Sequence, residues 1–551
     1  MNFYNLNIKI NRFIFIALVS LNISQIVAQS NYFESSKNLE IFSEIYKELD
    51  MFYVDEVNSG KLISTAIDEM LISLDPYTTY IPESDIEDYR FMTTGQYGGI
   101  GAIITKKGNY ILISEPYEGS PAQVAGLKAG DKILRVNGKD ASNKTTEELS
   151  TILKGTPNTQ VNITIERGEL GVMNFSFNRK KISLPSIPYS KYISEGIGYI
   201  KLRSFTRNCA KETKEALVKL QKEGSLKGLI LDLRNNPGGL LNESIDIVNL
   251  FVDKGEEIVV TKGKIKDWEK SYKSRNEPID LETPLVVLIN SSSASASEIV
   301  SGSIQDLDRG VIIGRRSYGK GLVQQTRKLP YNSQLKVTVA KYYIPSGRCI
   351  QALDYSNRNE DGSVGKIPDS LVSVYKTKNG REVKDGGGIT PDIVVESPSL
   401  SDITISLLKK RLFFDFATEY SYQHKSIDNL EDFEITTQIF ERFKSFLLDK
   451  EYDYMTPVEE AFNDFKIVLE KEELNDIVDR EITLINERIL KNKENDLNNN
   501  KEEISQYLAN EIVSRYYYQK GRIAQDLKTD LDIKQAIKIL KNPEDYNNII
   551  N

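Results

Sequence analysis

The sequence predicts a multidomain α/β protein, with helices at the start, a compact β-rich α+β unit, an α/β layered core and an all-α end. Three observations carry that reading. The chain has 551 residues, too many for one hydrophobic core. Between residues 183 and 397 short apolar strands alternate with amphipathic helices, as in a layered sheet. After Ser401 long charged stretches of helical periodicity run to the end, and proline is confined to Pro457 and Pro543.

At the start, Lys9 and Arg12 precede an apolar run from Phe13 to Ile23, and Ala28 offers a small residue for cleavage. Residues 1–28 therefore read as a secretory signal. Ile26 is larger than the residue usual at its place, so an uncleaved anchor is the rival reading, although Phe13–Ala28 falls short of the about 20 apolar residues of a membrane span. No other stretch could cross a bilayer. Export is the expectation, to a periplasm first of all, with no stable membrane span once the signal is removed.

In the region 29–94, Leu39, Phe42, Ile45 and Leu49, then Ile63, Ile67, Met70 and Leu74, recur at helical spacing and predict two helices ended by Asp75-Pro76. The mostly β unit is 95–182. It reads as a strand at Tyr110–Ser114, a helical turn at Ser120–Ala125, a strand at Lys132–Val136, a turn at Asn137-Gly138, a helix at Thr146–Leu153 and a strand at Gln160–Arg167. In 183–397, strands fit Ile197–Leu202, Leu229–Leu233, Ile258–Thr261, Leu285–Ile289, Val311–Gly314 and Leu335–Tyr343. Helices there fit Lys211–Glu223, Leu241–Phe251 and Glu298–Asp306. Residues 398–551 read as a separate helical region for capping or assembly, without chemistry of its own.

Composition excludes several functions. A net charge of -8 leaves no basic excess to neutralise a phosphate backbone, so a nucleic-acid partner is not expected. There is one histidine, His424, and two cysteines, Cys209 and Cys349, and no group of His, Cys or carboxylate ligands at the tight spacing of a zinc site, so no metal or organic cofactor is expected. The two cysteines read as buried free thiols.

The chemistry centres on Ser291-Ser292-Ser293-Ala294-Ser295-Ala296-Ser297-Glu298, directly after the apolar strand Leu285–Ile289. A strand, a tight turn of small residues and a helix expose a nucleophile, with free N–H groups at the helix start to hold an oxyanion. Ser295 and Glu298 also make the S-x-x-E of a capping box, so a purely structural role is the competing reading. A serine needs a base. His424 lies in the charged tail and reads as a solvated helix-end residue. Lys320, between Gly319 and Gly321 and beside an apolar strand, can serve if burial lowers its pKa. Gln324, four residues on, would share its face in a strand or neighbour it in a helix, and could orient the amine.

Gly314 to Lys320 also satisfies G-x-x-x-x-G-K, but Gly321 stands where a P-loop needs Ser or Thr, and an exported chain has no ATP supply. The segment Leu229 to Gly239, ending in Asn235-Asn236-Pro237-Gly238-Gly239, is a buried strand that closes on a glycine pair, where the backbone can approach a ligand and donate to an oxyanion.

The ordered set D-L-R-N-N-P-G-G, S-A-S-A-S-E and Y-G-K-G-x-V-Q resembles the C-terminal processing peptidases, also called tail-specific proteases. Residues 70–397 follow that family's order, from Leu74-Asp75-Pro76-Tyr77 to Ile389-Thr390-Pro391-Asp392. The resemblance implies a PDZ domain at 95–182 and a crotonase-like α/β peptidase core at 183–397, with 354–387 as an insertion. It implies Ser295 as nucleophile, where the residues alone leave Ser293 and Ser297 open. It implies Lys320, 25 residues on (320 − 295), as general base, Gln324 as its orienting residue, and Asp306 in a supporting role. The oxyanion donors would be the Ala296 amide and one of Gly238 or Gly239. The PDZ domain would hold substrate C-termini at Gly98-Gly99-Ile100-Gly101-Ala102, with the Thr146–Leu153 helix as the other wall.

The resulting expectation is an exported serine endopeptidase with a Ser/Lys dyad, acting on protein or peptide C-termini. A silent peptide-binding scaffold and a small-molecule acyl hydrolase are the rivals; retention of Ser295, Lys320 and Gln324 together disfavours the first, and a tail-binding module the second. Self-association or an adaptor is left open.

Overall fold

The central strand Leu285–Ile289 is apolar and buried at every position, which suits a strand covered on both faces rather than one. The computed structural model describes residues 33–266, 269–397, 399–427 and 429–551; the expected signal at 1–28 lies outside the described residues. A six-stranded sheet runs in the order Tyr189–Ser194, Ile197–Lys201, Gly228–Asp232, Leu285–Ile289, Val311–Gly314, Ile393–Val394. The first pair is antiparallel and the rest are parallel. Successive side chains point to opposite faces. Leu229, Leu231, Leu285, Val287, Ile289 and Ile312 therefore join one core, under the helices Cys209–Glu223, Leu241–Val248 and Ala296–Asp306.

Ile230, Val286, Leu288, Val311 and Ile313 face the other way, against Ile533, Ala536, Ile539, Leu540 and Tyr546. Those five come from the last helices of the chain, Leu531–Lys541 and Pro543–Ile550. The C-terminal region is thus not separate from the core as its composition suggested. The remainder of that region has its own aromatic core, with Phe413, Phe416, Phe440 and Phe443 among its buried residues.

The β-rich unit forms a sheet in the order Ala102–Lys107, Tyr110–Pro116, Lys132–Val136, Gln160–Glu166, Val172–Asn178. The Thr146–Leu153 helix closes it, opened by a full capping box between Thr145 and Glu148. Helix Lys501–Asp526 touches this unit through Arg522–Glu115 and Lys520–Glu118 pairs, both at 3.0 Å.

The chain divides into two compact units, residues up to Tyr80 with Thr326–Val337, and 81–325 with 338–551. In the first, helices span 33–52 and Ser59–Ile72, as the apolar spacing predicts, and Asp75 Oδ1 accepts the Tyr77 and Thr78 N–H groups at 2.8 Å each in the turn that follows. The insertion at 354–387 is built as two hairpins, Leu353–Arg358 with Val364–Lys366 and Val374–Lys376 with Glu382–Lys384. Cys209 and Cys349 are free; Cys209 is buried as expected, whereas Cys349 is half-buried.

Candidate active site

The serine-rich turn leaves the sheet at the end of Leu285–Ile289 and enters the helix Ala296–Asp306, every residue of which is buried. Small side chains are required because the turn threads against a second loop. Ala294 N–H and Ser297 Oγ donate to the Asn236 carbonyl at 3.1 and 2.9 Å, and Ser293 Oγ donates to the Leu233 carbonyl at 2.8 Å. Asn235 N–H donates to Asn290 Oδ1 at 3.0 Å. Ser293 and Ser297 are fully buried and tied down by these bonds, while Ser295 is only half-buried. Ser295 has φ 58° and ψ −113°, a backbone that side-chain-bearing residues avoid and that is typically held in place at functional turns.

Glu298 is the residue that organises the site, and the sequence presented it only as half of a capping box. Its side chain is fully buried. Oε2 accepts the Ser295 N–H at 2.7 Å and the Lys320 N–H at 2.9 Å; Oε1 accepts the Ser317 hydroxyl at 2.6 Å and the Gly319 N–H at 2.7 Å. One carboxylate therefore holds the backbones of both candidate catalytic residues. Burial pushes Glu298 up to about 7, against the opposing hydrogen bonds from Ser317, Lys320, Ser295 and Gly319. A second clamp lies in Tyr342, whose hydroxyl is 2.6 Å from the Lys320 carbonyl oxygen and 3.2 Å from that of Ser295. Nothing in the sequence marks Tyr342 apart from its place in an alternating strand.

Lys320 is half-buried and lies in the loop before the strand Leu322–Lys328, so it does not share a strand face with Gln324. Gln324 is on that strand and donates its amide nitrogen to Thr338 Oγ1 at 3.1 Å. The glycine pair abuts the serine turn: a Cβ added at Gly238 would stand 2.9 Å from Ser295 Cβ and 3.0 Å from the Ala296 nitrogen. The Gly238 N–H, however, donates to Asn236 Oδ1 at 2.9 Å. Asp306 lies at the far end of the helix that Ser295 opens, buried, paired with Arg348 at 2.7 Å and accepting the Ser346 N–H at 3.0 Å. It fixes the turn at Ser346–Arg348.

At the β-rich unit, Gly98 and Gly99 end a short strand paired with Lys180–Ser183, Ile100 is buried, Gly101 has φ 76°, and Ala102 starts an edge strand. A Cβ at Gly98 would meet the Gly155 carbonyl at 2.2 Å, so only glycine fits there. Among the described residues Ala102–Lys107 pairs on one side only, with Tyr110–Pro116, and the Thr146–Leu153 helix packs nearby. An unpaired edge beside a helix is the arrangement that accepts a peptide as an added strand.

Residues 196–356 match the model of Peptidase family S41, and residues 112–167 that of the PDZ domain. A carboxy-terminal-processing protease of Bartonella bacilliformis is 35% identical over 390 residues, which are 70% of this chain and 81% of its own. The chain belongs to Peptidase family S41. It is a serine peptidase of the carboxy-terminal-processing type and carries a PDZ domain. A Staphylococcus aureus chain named "Probable CtpA-like serine protease" is 33% identical over 371 residues, 67% of each chain. A solved photosystem II D1 C-terminal processing protease aligns at 27% identity over 64% of this chain and 92% of its own, with a TM-score of 0.35. Residues 403–540 match "Probable PDZ-protease, C-terminal helical domain", so the helical region of this S41 peptidase also has family counterparts. No described helix is long and apolar enough to cross a membrane.

Proposed function

We propose that this S41 peptidase is an exported endopeptidase, periplasmic where there is an outer membrane, that works through a Ser295/Lys320 dyad on proteins captured by their C-terminal tails. The observation that carries the reading is the Glu298 carboxylate, which binds the N–H groups of Ser295 and Lys320 through one oxygen atom while Ser295 is held at positive φ. A lone helix cap has no reason to include Lys320.

Neutral Lys320 takes the Ser295 hydroxyl proton, and Ser295 Oγ attacks the scissile carbonyl carbon. The Ala296 amide and the glycine loop stabilise the oxyanion. Because Asn236 Oδ1 already occupies the Gly238 N–H, Gly239 is the better candidate for the second donor. Protonated Lys320 then gives its proton to the leaving amine, and water releases the acyl-enzyme. Gln324 supports the strand next to Lys320, and Asp306 supports the helix that Ser295 opens. The tail's carboxylate would sit at Gly98–Ala102, with its strand added along Ala102–Lys107.

The test is degradation of an unfolded protein with an apolar C-terminal tail, in EDTA, by the wild type, Ser295→Ala and Lys320→Ala. Loss of cleavage in both folded variants supports the dyad; full activity in Ser295→Ala returns the assignment to Ser293 and Ser297.

A further inference from the structure

The loop bearing Gly238 and Gly239 springs from Asp232 and Arg234, and these anchor it to the far end of the chain. Arg234 donates from Nε to Asp232 Oδ1 at 3.1 Å and from Nη2 to Asp232 Oδ2 at 2.8 Å. Its Nη1 lies 2.7 Å from Asp530 Oδ2 and 2.8 Å from Asp532 Oδ2. Arg315, which follows the strand Val311–Gly314, reaches Asp532 Oδ2 at 3.4 Å. Lys201 Nζ sits 3.0 Å from Asp232 Oδ2 and donates to the Arg234 carbonyl at 3.0 Å, and Tyr199 Oη donates to Asp232 Oδ2 at 2.7 Å. Three carboxylates thus face three cations. Asp530 is also the N-cap of helix Leu531–Lys541, accepting the Ile533 N–H at 3.2 Å.

Stability does not explain such a cluster. Desolvating several charges commonly offsets their attraction, and apolar side chains of similar volume often do as well. Asp532 Oδ1 is even buried without a hydrogen-bond partner. What the cluster supplies is position. Arg234 starts the turn whose next residues, Asn235 and Asn236, bond to the Asn290–Ser297 turn on the other side. A rigid path therefore runs from the helix start at Asp530 through Arg234 and the glycine pair to the serine turn.

We infer that Asp530 and Asp532 are positioning residues for the oxyanion loop, so that the C-terminal helical region contributes directly to the rate of acyl transfer. The inference rests on reading Ala296 and Gly239 as oxyanion donors. It places two rate-determining side chains more than 200 residues beyond Ser295, in a region that composition presents as a cap.

The experiment uses the full-length chain with Asp530→Asn, Asp532→Asn and both together, because asparagine caps a helix as well as aspartate does. The readouts are kcat and KM on a fluorogenic peptide, the melting temperature, and the Ki of a peptide boronate whose tetrahedral serine adduct needs the same donors. The expected result for the double variant is a folded protein with kcat lowered ten-fold or more, KM within two-fold, and boronate Ki weakened in step with kcat. A folded double variant with kcat within two-fold of wild type overturns the inference, as does a loss of kcat with an unchanged boronate Ki. If the double variant fails to fold, Asp530→Asn alone decides: a three-fold or larger fall in kcat at constant KM supports the role, and an unchanged kcat refutes it. Ser295→Ala is run in parallel; its activity tests the dyad reading alone, whatever the aspartate variants show.

Discussion

Replacing Glu298 by glutamine swaps one acceptor oxygen for an NH2 group in a pocket where every partner is a donor. Oε1 serves the Ser317 hydroxyl and the Gly319 N–H, and Oε2 serves the Ser295 and Lys320 N–H groups. The cheaper orientation turns the amide nitrogen to Ser317, whose hydroxyl can rotate, and leaves the Gly319 N–H unmet at about 1–3 kcal/mol. The other orientation leaves two backbone donors unmet, at roughly twice that cost. Either way the loop from Ser317 to Lys320 shifts against Ser295, and a misplacement near 1 Å costs about 100-fold in rate.

Titration adds a second signature. Burial raises Glu298 from an ordinary 4.5 to about 7. Between those values the unfolded chain has lost the proton that the folded chain keeps. The contribution of this group is therefore complete below about 4.5 and is lost as pH rises through about 7, a change of about 3 kcal/mol. Glutamine does not titrate, so the wild type's stability advantage over Glu298→Gln should shrink between pH 5 and 8. The assay is kcat on a fluorogenic peptide at pH 8, with urea unfolding at pH 5 and pH 8. Wild-type kcat together with a pH-independent stability difference would refute the clamp.

The dyad itself predicts that Ser295→Ala and Lys320→Ala each lower kcat by about 10⁴-fold or more while far-UV circular dichroism is unchanged. Gly238→Ala, at φ 98° and with its new Cβ 2.6 Å from the Ala294 carbonyl, should push the serine turn and the glycine loop apart; kcat should fall at least about 100-fold. Arg348→Met leaves Asp306 buried and unpaired, which should cost about 3–5 kcal/mol in urea unfolding. If the loop at Gly98–Ala102 holds the tail's carboxylate as proposed, calorimetry with a peptide ending in an apolar residue should show binding that C-terminal amidation weakens at least about ten-fold.

What could be read from the sequence was what local spacing encodes. Leu285–Ile289, Val311–Gly314, Lys132–Val136 and Thr146–Leu153 fall at the ends that alternation and turn residues indicate. The helix expected at Leu241–Phe251 ends at Val248, where Asn249 caps it. The strand at Tyr189–Ser194 went unread because its polar Ser190 and Lys191 hide the alternation. At the site, S-A-S-A-S-E and Y-G-K-G were visible as separate motifs. Their joining through Glu298 was not, because a capping box and a carboxylate shared between two loops share one spacing. Tyr342 and Asn236 act through long-range bonds to backbone carbonyls, which no local pattern records.

The same limit hid the role of the chain's end, and it yields a last prediction. A strand such as Gly228–Asp232 needs cover on both faces, yet the helices nearest in sequence supply only one. The other face is covered by Ile533, Ala536, Ile539, Leu540 and Tyr546, all nearly or fully buried against it. At about 1.5–3 kcal/mol for each large apolar side chain, removing them forfeits about 10 kcal/mol, as much as the whole stability of an ordinary domain. A chain stopped at residue 529 should therefore be insoluble or rapidly proteolysed instead of yielding an active core. Tyr546→Phe, which loses only a hydroxyl bonded to the Leu285 N–H at 2.9 Å and its carbonyl at 3.1 Å, should cost about 1–2 kcal/mol and leave kcat intact. Soluble, fully active protein from the truncated chain would show that these helices are an appendage and that the sheet stands without them.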